Sequence, residues 1–189
     1  MTWDQFKNGL TEIEKPLVEA YRDILSELDP KSVLEVGSGW GLFSRSVMEW
    51  TRARLTTVDK TPFVNLKDMT DRVAGFETRI EFVTGNSLDV LPKLVGSDRK
   101  FDLVFVDGDH GFEGCQSDLR HAGNLATGAI LVDDVFHKEN WSVELGKGED
   151  EQFAFNYGVT QALWGFLQGI KGEARIIPVG KGGLALIKI

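Results

Sequence analysis

Short apolar runs alternate with longer amphipathic stretches along most of the chain. The apolar runs predict β-strands, and the stretches with apolar residues three or four positions apart predict helices. The predicted strands are 32–36, 55–59, 79–84, 102–107 and 129–133, and the predicted helices are 41–51, 63–75, 87–94 and 112–125. This alternation favours a parallel sheet with helices on both of its faces.

The two ends of the chain depart from this alternation. Residues 2–28 carry an apolar stripe at helical spacing, which Pro16 is expected to kink or split. Near the other end, a predicted helix at 156–169 precedes two apolar runs, 174–179 and 184–189, that flank a glycine-rich turn. That pattern is typical of a β-hairpin.

The length of 189 residues suits one domain with a substantial core, and the sequence contains no linker, repeat or low-complexity segment. We therefore expect a single domain over 1–189, with a helical segment at 1–29 before an α/β core at 30–189. The least regular stretch, 137–157, is interpreted as a loop over the functional site or as a surface insertion.

Composition narrows the kinds of partner. The formal net charge is −8 and there is no basic run, which argues against nucleic-acid binding. The single cysteine, Cys115, excludes an intrachain disulfide and suits a reducing compartment. Neither a membrane-spanning window nor a signal peptide is recognisable in the sequence. We therefore expect a cytoplasmic protein that binds a small molecule and not a membrane, and the sequence leaves open whether it is a homodimer.

The turn after the first predicted strand contains three alternating glycines within residues 35–41, Glu-Val-Gly-Ser-Gly-Trp-Gly. Glycines at such a turn let the backbone approach a ligand closely, and Asp59 at the end of the next strand can bind ribose hydroxyls. The spacing differs from the G-x-G-x-x-G of dinucleotide sites. Moreover, Glu35 would repel a pyrophosphate but suits an ammonium group. An NAD site is therefore disfavoured.

This glycine turn together with Asp59 resembles the first two motifs of the class I S-adenosylmethionine-dependent methyltransferases. The resemblance spans about residue 30 to the C-terminus. It implies a Rossmann-like, doubly wound sheet of seven strands, mostly parallel, with an antiparallel strand in the C-terminal hairpin. It also implies that S-adenosylmethionine is the cofactor.

The same resemblance implies roles for individual residues. Glu35 helps to hold the amino-acid end of the cofactor, and Asp59 binds the ribose hydroxyls. The methionine part and the ribose lie against the turn formed by Gly37, Ser38, Gly39, Trp40 and Gly41. The turn after the third strand lies beside the adenine, so Asn86 and Ser87 are candidate contacts, although either residue also suits the N-cap of the following helix.

Acidic residues end the fourth and fifth predicted strands, in Asp107-Gly108-Asp109-His110 and in Asp133-Asp134. Because neighbouring parallel strands end at one edge of a sheet, Asp107, Asp133 and Asp134 are expected to meet there. Crowded carboxylates need compensation, which Mg²⁺ or another divalent cation provides. The alternative is that these acids cap helices and face solvent.

This combination resembles the cation-dependent O-methyltransferases, including the branch with an Asp-Gly-Asp-His sequence. The resemblance places metal ligands at Asp107, Asp133 and Asp134, although catechol-type members have Asp-Asn at the last pair. Their lysine base is replaced here by His110. A histidine accepts a proton near neutral pH. His110 and Asp107 are therefore the candidate catalytic residues, and Asp107 also adjoins the cofactor.

These observations predict S-adenosylmethionine-dependent O-methylation of a small-molecule hydroxyl, assisted by a divalent cation. Two alternatives stay open, a cation-independent methyltransferase on another acceptor and a non-catalytic S-adenosylmethionine-binding protein. His137 is interpreted as a surface residue rather than as part of the pocket, and His121 as a structural residue.

Overall fold

The structure, a computed structural model, describes residues 10–12, 14–61, 78–136, 151–179 and 182–189, with the backbone alone for 151–157. The strands are β1 (Ser32–Val36), β2 (Arg54–Asp59), β3 (Ile80–Thr84), β4 (Phe101–Val106), β5 (Ala126–Val132), β6 (Glu173–Val179) and β7 (Gly182–Lys188). The helices are α1 (Glu14–Leu28), α2 (Leu42–Trp50), α3 (Ser87–Gly96), α4 (Phe112–Leu125) and α5 (Glu151–Gly169).

The strands form one seven-stranded sheet in the order β3-β2-β1-β4-β5-β7-β6. β1 to β5 are parallel, while β7 runs antiparallel to both β5 and β6. The strand order reverses between β1 and β4, and ligands of open α/β sheets bind in the crevice at such a point. The predicted Rossmann-like sheet with an antiparallel C-terminal strand is therefore confirmed.

The predicted strands shift by one to three residues at their ends. β4 and β5 end one residue before Asp107 and Asp133, so both acids lie just beyond the sheet. α5 begins at Glu151, inside the stretch predicted to be irregular, because apolar residues are spread around this helix and give little one-sided spacing. The predicted helix at 63–75 and residues 137–150 of the predicted loop lie outside the described residues.

Pro16 does not interrupt α1. The helix begins at Glu14, so the proline lies in the first turn, where proline is tolerated. Thr11 and Glu14 form a capping box: the Glu14 N–H donates to Thr11 Oγ1 at 3.2 Å, and the Thr11 N–H donates to Glu14 Oε2 at 2.7 Å. The described helix therefore continues through Pro16, while the first part of the 2–28 stripe lies outside the described residues, so a split of that stripe stays a prediction.

The hydrophobic core lies on both faces of the sheet. On one face, α1 and α2 pack through Tyr21 and Phe43 against Phe105 of β4. The Phe43 and Phe105 rings stack with centroids 3.9 Å apart, and Tyr21 meets both edge-on at 5.1 and 5.6 Å. These three rings fix α1 and α2 over the centre of the sheet.

The other face is covered by α3, α4 and α5. Cys115 of α4 is buried there, and burial, aided by Asp118 and Asp109, raises the pKa of its thiol to about 12. Within the described part of the chain, every helix is too short or too polar to cross a bilayer.

We predict that Phe105→Ala lowers the free energy of unfolding by about 3–5 kcal/mol, because it empties the centre of the aromatic cluster. The matched control, Ile176→Ala, changes a side chain that is 45% exposed on edge strand β6. It is expected to have an effect within about 0.5 kcal/mol. Urea unfolding measures both changes, and similar losses for the two variants would contradict this account of the core.

Candidate active site

The predicted site residues directly follow their strands, and the hydrogen bonding of the sheet extends to them. The backbone N–H groups of Gly37, Asp107 and Asp133 each donate to a carbonyl in the last two residues of the neighbouring strand, at 2.8–3.1 Å. Their positions at the carboxyl edge of the sheet are therefore fixed by the register of the strands. This explains why residues from three strands meet at one place.

The glycine turn after β1 has two functions, which different glycines serve. Gly37, Gly39 and Gly41 all have positive φ, at 85°, 46° and 77°, a conformation that glycine adopts without strain. A Cβ on residue 37 would lie 2.0 Å from the Asp107 carbonyl oxygen, so Gly37 lets two strand-end turns touch. A Cβ on residue 39 would meet nothing within 4 Å, so Gly39 faces open space.

Asp59 is held against the same turn. Ser38 donates its N–H and its hydroxyl to Asp59 Oδ2 at 2.8 and 2.9 Å, and the Thr61 N–H donates to Oδ1 at 2.9 Å. Burial alone would raise the pKa of Asp59, but these hydrogen bonds outweigh it and lower the pKa. The carboxylate therefore stays ionised and oriented, as a group that binds ribose hydroxyls needs to be.

A pocket runs from the glycine turn to the start of α3. It is lined by Val36, Gly37, Val58, Asp59, Lys60, Gly85, Ser87, Gly108 and Asp109. Ser87, a predicted adenine contact, thus lies in its wall. Asn86 is the N-cap of α3, where its side chain accepts from the Leu88 N–H at 3.1 Å, so the capping interpretation is confirmed. The contact of Asn86 with adenine stays a prediction.

Glu35 lies beneath the turn and is fully buried. Its carboxylate accepts the Ser44 N–H at 3.1 Å and also the Ser44 hydroxyl, which joins β1 to the first turn of α2. Burial raises the pKa of Glu35 to about 7. Its predicted role toward the amino-acid end of the cofactor stays a prediction. In the structure, its hydrogen bonds to Ser44 connect the strand before the glycine turn with the helix after it. Trp40 of the turn is 77% exposed.

His110 joins two of the predicted acids. Its Nε2 lies 3.1 Å from Asp107 Oδ1, and its Nδ1 lies 3.5 Å from Asp134 Oδ2. Of the residues that the structure describes, these three form a group whose donor atoms lie within 4.8 Å of one another. Their side chains are 18% to 42% exposed, so a ligand can reach them.

Asp133 lies outside this group, although the sequence predicts it as a metal ligand. Its Oδ2 accepts the Tyr21 hydroxyl at 2.5 Å, and its Oδ1 accepts the Asp134 N–H at 2.7 Å. Sequence reasoning missed Tyr21, because an apolar helical stripe predicts only that this residue is in the core.

The electrostatics of the group fit a divalent cation. Burial raises the pKa of Asp107, although His110 opposes this effect. Burial also raises the pKa of Asp133, and the negative charges of Asp107 and Asp134 add to it. For His110, burial alone would lower the pKa, but Asp107 and Asp134 outweigh burial and raise it. Two carboxylates and an imidazole at one open edge form a donor set that suits a divalent metal ion.

Of the other two histidines, only His121 belongs to the described residues. His121 lies in α4, and its Nδ1 is 2.8 Å from the Ser117 carbonyl oxygen, which agrees with a structural role. His137 lies outside the described residues.

A family model described as "Methyltransferase domain" matches residues 34–135, which include the glycine turn, Asp59 and the Asp107–His110 turn. The chain therefore belongs to this family of methyltransferase domains, and its sheet is that of the class I enzymes.

Two curated relatives also match. "Putative O-methyltransferase" from Mycobacterium sp. (strain JLS) is 33% identical over 99 residues, which cover 50% of this chain and 44% of that protein. "Ribosomal RNA small subunit methyltransferase H" from Rickettsia canadensis (strain McKiel) is 26% identical over 144 residues, which cover 69% and 45%. The chain spans less than half the length of each of these relatives.

Solved structures share the fold over most of the chain. The SAH-bound methyltransferase PaMTH1 from Podospora anserina has a TM-score of 0.73 and 19% identity, with 98% of this chain and 81% of that chain covered. The O-methyltransferase from Bacillus cereus in complex with SAH has a TM-score of 0.72 and 17% identity, with 92% and 80% covered.

Two glycine substitutions test the division of function in the turn. We predict that Gly37→Ala lowers the free energy of unfolding by about 2–5 kcal/mol, because a collision of its methyl group with the Asp107 carbonyl adds to the cost of its positive φ. Gly39→Ala is expected to cost only about 1–2 kcal/mol, the cost of its positive φ.

Gly39→Ala is nevertheless expected to weaken binding of S-adenosylhomocysteine about tenfold or more, because its methyl group would fill the space open to a ligand. Urea unfolding and calorimetric titration measure the two effects. Unchanged affinity in Gly39→Ala would contradict the assignment of this space to the cofactor.

The buried Glu35 predicts a pH dependence of stability. Because its folded-state pKa of about 7 lies above the ordinary 4.5, the folded protein binds the proton more tightly than the unfolded chain between these values. The contribution of Glu35 to stability is therefore full below the lower value. It falls by up to about 3 kcal/mol as the pH rises to the upper one.

The measurement compares wild-type protein with Glu35→Gln by urea unfolding on both sides of this pH window. Glutamine keeps an acceptor for Ser44 but does not titrate, so the variant is expected to gain stability relative to wild type as the pH rises. A constant difference between the two proteins would show that Glu35 ionises equally easily in the folded and unfolded states.

Proposed function

We propose that this protein transfers a methyl group from S-adenosylmethionine to the hydroxyl oxygen of a small molecule, with the help of a divalent cation. The observation that carries the proposal is the contact between the glycine turn and the Asp107 backbone. It places the pocket beside Asp59 directly next to the group formed by Asp107, His110 and Asp134.

The pocket residues fit the cofactor. Asp59 presents an ionised carboxylate for the ribose hydroxyls, Gly39 leaves room beside it, and Ser87 lies in the wall where the adenine is expected. S-adenosylmethionine, when bound, supplies a methyl group that is already electrophilic. The task of the protein is then to hold an acceptor oxygen in line with that methyl group.

The acidic group fits the second half of the reaction. A divalent cation held by Asp107 and Asp134 would lower the pKa of an acceptor hydroxyl and orient it. His110 lies between these carboxylates and accepts the hydroxyl proton. In this reaction the methyl group would pass from the cofactor sulfur to the acceptor oxygen and the hydroxyl proton to His110, which would leave S-adenosylhomocysteine and the methylated product.

One observation favours a second candidate, a methyltransferase that needs no cation. His110 already lies within 3.1 and 3.5 Å of two carboxylates, so a protonated imidazole compensates their charge without a metal. The match to a ribosomal RNA methyltransferase adds RNA to the acceptors worth testing for that candidate.

The first experiment is calorimetric titration with S-adenosylhomocysteine, with Mg²⁺ or Mn²⁺, and with NAD as a control. We expect S-adenosylhomocysteine and the cation to bind and NAD not to bind, and Asp107→Asn to weaken cation binding. Cofactor binding with no response to any cation would favour the cation-independent candidate. Absence of cofactor binding would overturn the proposal.

The role of His110 has its own test. If His110 is the base, His110→Gln is expected to lower kcat by about 10²- to 10⁴-fold and to leave cation affinity unchanged. If it is instead a metal ligand, the same variant loses cation affinity in calorimetry. Methylation of a panel of phenols and catechols, assayed with and without a chelator, supplies kcat once an acceptor is found.

A further inference from the structure

The N-terminal helix α1 reaches the acidic group through one side chain. Tyr21 is 2% exposed, and its ring lies edge-on to both Phe43 and Phe105. Phe43 belongs to the helix after the glycine turn, and Phe105 lies two residues before Asp107. The Tyr21 ring is therefore fixed by the elements that carry the cofactor turn and the acidic turn, and its hydroxyl has a defined position.

Two hydrogen bonds lead from Tyr21 to the backbone of Asp134. The Tyr21 hydroxyl donates to Asp133 Oδ2 at 2.5 Å, and the other oxygen of the same carboxylate accepts the Asp134 N–H at 2.7 Å. Both oxygens of the Asp133 carboxylate are thus engaged in hydrogen bonds, one with Tyr21 and one with Asp134. This explains why Asp133 lies outside the group whose donor atoms approach one another.

Asp134 has an unusual backbone conformation that this arrangement stabilises. Its φ is 52°, in the left-handed region that residues other than glycine adopt infrequently. Such residues persist where their surroundings determine the conformation, and they concentrate at functional sites. In this conformation the Asp134 carboxylate lies 3.5 Å from the His110 ring.

We propose that Tyr21 and Asp133 are positioning residues that hold Asp134 in its left-handed conformation and so complete the group with Asp107 and His110. Asp133 acts through its hydrogen bonds and not as a cation ligand. This inference rests on the proposed function of the same site, but it concerns the geometry of Asp134, which can be measured without cofactor, cation or acceptor.

The test compares the full chain with Tyr21→Phe, which keeps the ring and removes the hydroxyl. Amide hydrogen exchange at Asp134, followed by NMR, is expected to be about five- to tenfold faster in the variant. Affinity for Mn²⁺ in calorimetry is expected to fall about tenfold, while affinity for S-adenosylhomocysteine is unchanged. Val18→Ala is the control, because it loosens the same helix at another buried position and keeps the Tyr21 hydroxyl.

The outcomes separate this inference from the proposed function. Equal exchange rates at Asp134 in Tyr21→Phe and Val18→Ala would overturn it. If wild-type protein binds no Mn²⁺, the cation assignment fails, but exchange at Asp134 still decides whether Tyr21 positions this residue. A double variant with Asp133→Asn is expected to bind Mn²⁺ no more weakly than either single variant, since both act through one path.

Asp133→Asn alone also covers the case in which Tyr21→Phe does not fold. It keeps the aromatic cluster and weakens the acceptor for both donors. Faster exchange at Asp134 with about tenfold weaker Mn²⁺ binding supports the inference. Complete loss of Mn²⁺ binding with unchanged exchange at Asp134 would instead identify Asp133 as a direct ligand.

Discussion

The backbone contact between the turn after β1 and the turn after β4 is the constraint on which the site depends. Gly37 and the Asp107 carbonyl approach so closely that any side chain at position 37 would separate them. Both turns line the pocket beside Asp59, and the turn after β4 also carries Asp107 and His110 of the acidic group. Their contact brings these parts together without a loop or a second domain between them.

The carboxyl groups at this edge of the sheet have different surroundings, and these surroundings give them different pKa values and contacts. Asp59 receives three hydrogen bonds that lower its pKa beside a pocket, whereas burial raises the pKa of Glu35 to about 7. Asp107 and Asp134 lie on either side of one imidazole. The carboxyl groups gathered at this edge therefore differ in how easily each of them ionises.

Much of this arrangement could be predicted from the sequence, because it depends on local patterns. Apolar runs located the strands, and residues at or shortly beyond their carboxyl ends, such as Asp59, Asp107 and His110, lie at the edge where parallel strands end. The glycine turn was recognisable for the same reason. The fold class followed from the order of strands and helices, and the structure confirms it.

The parts that could not be predicted depend on distant partners. Tyr21 and Asp133 are 112 positions apart, and a helical stripe does not say which buried hydroxyl meets which acid. Ser44 was likewise not recognised as the partner of Glu35. The start of α5 was missed because its apolar residues do not fall on one side of the helix, and the left-handed Asp134 leaves no signal in an apolar strand end.

The burial of Cys115 has a practical consequence for labelling. A thiol with a pKa of about 12 carries almost no thiolate at neutral pH, so the single cysteine of the native chain resists alkylating reagents. A cysteine introduced at an exposed position would therefore take a fluorophore or spin label selectively without removal of the natural one. Conversely, reaction at Cys115 itself requires that its burial around α4 is lost. The rate of that reaction therefore measures how often the fold opens there.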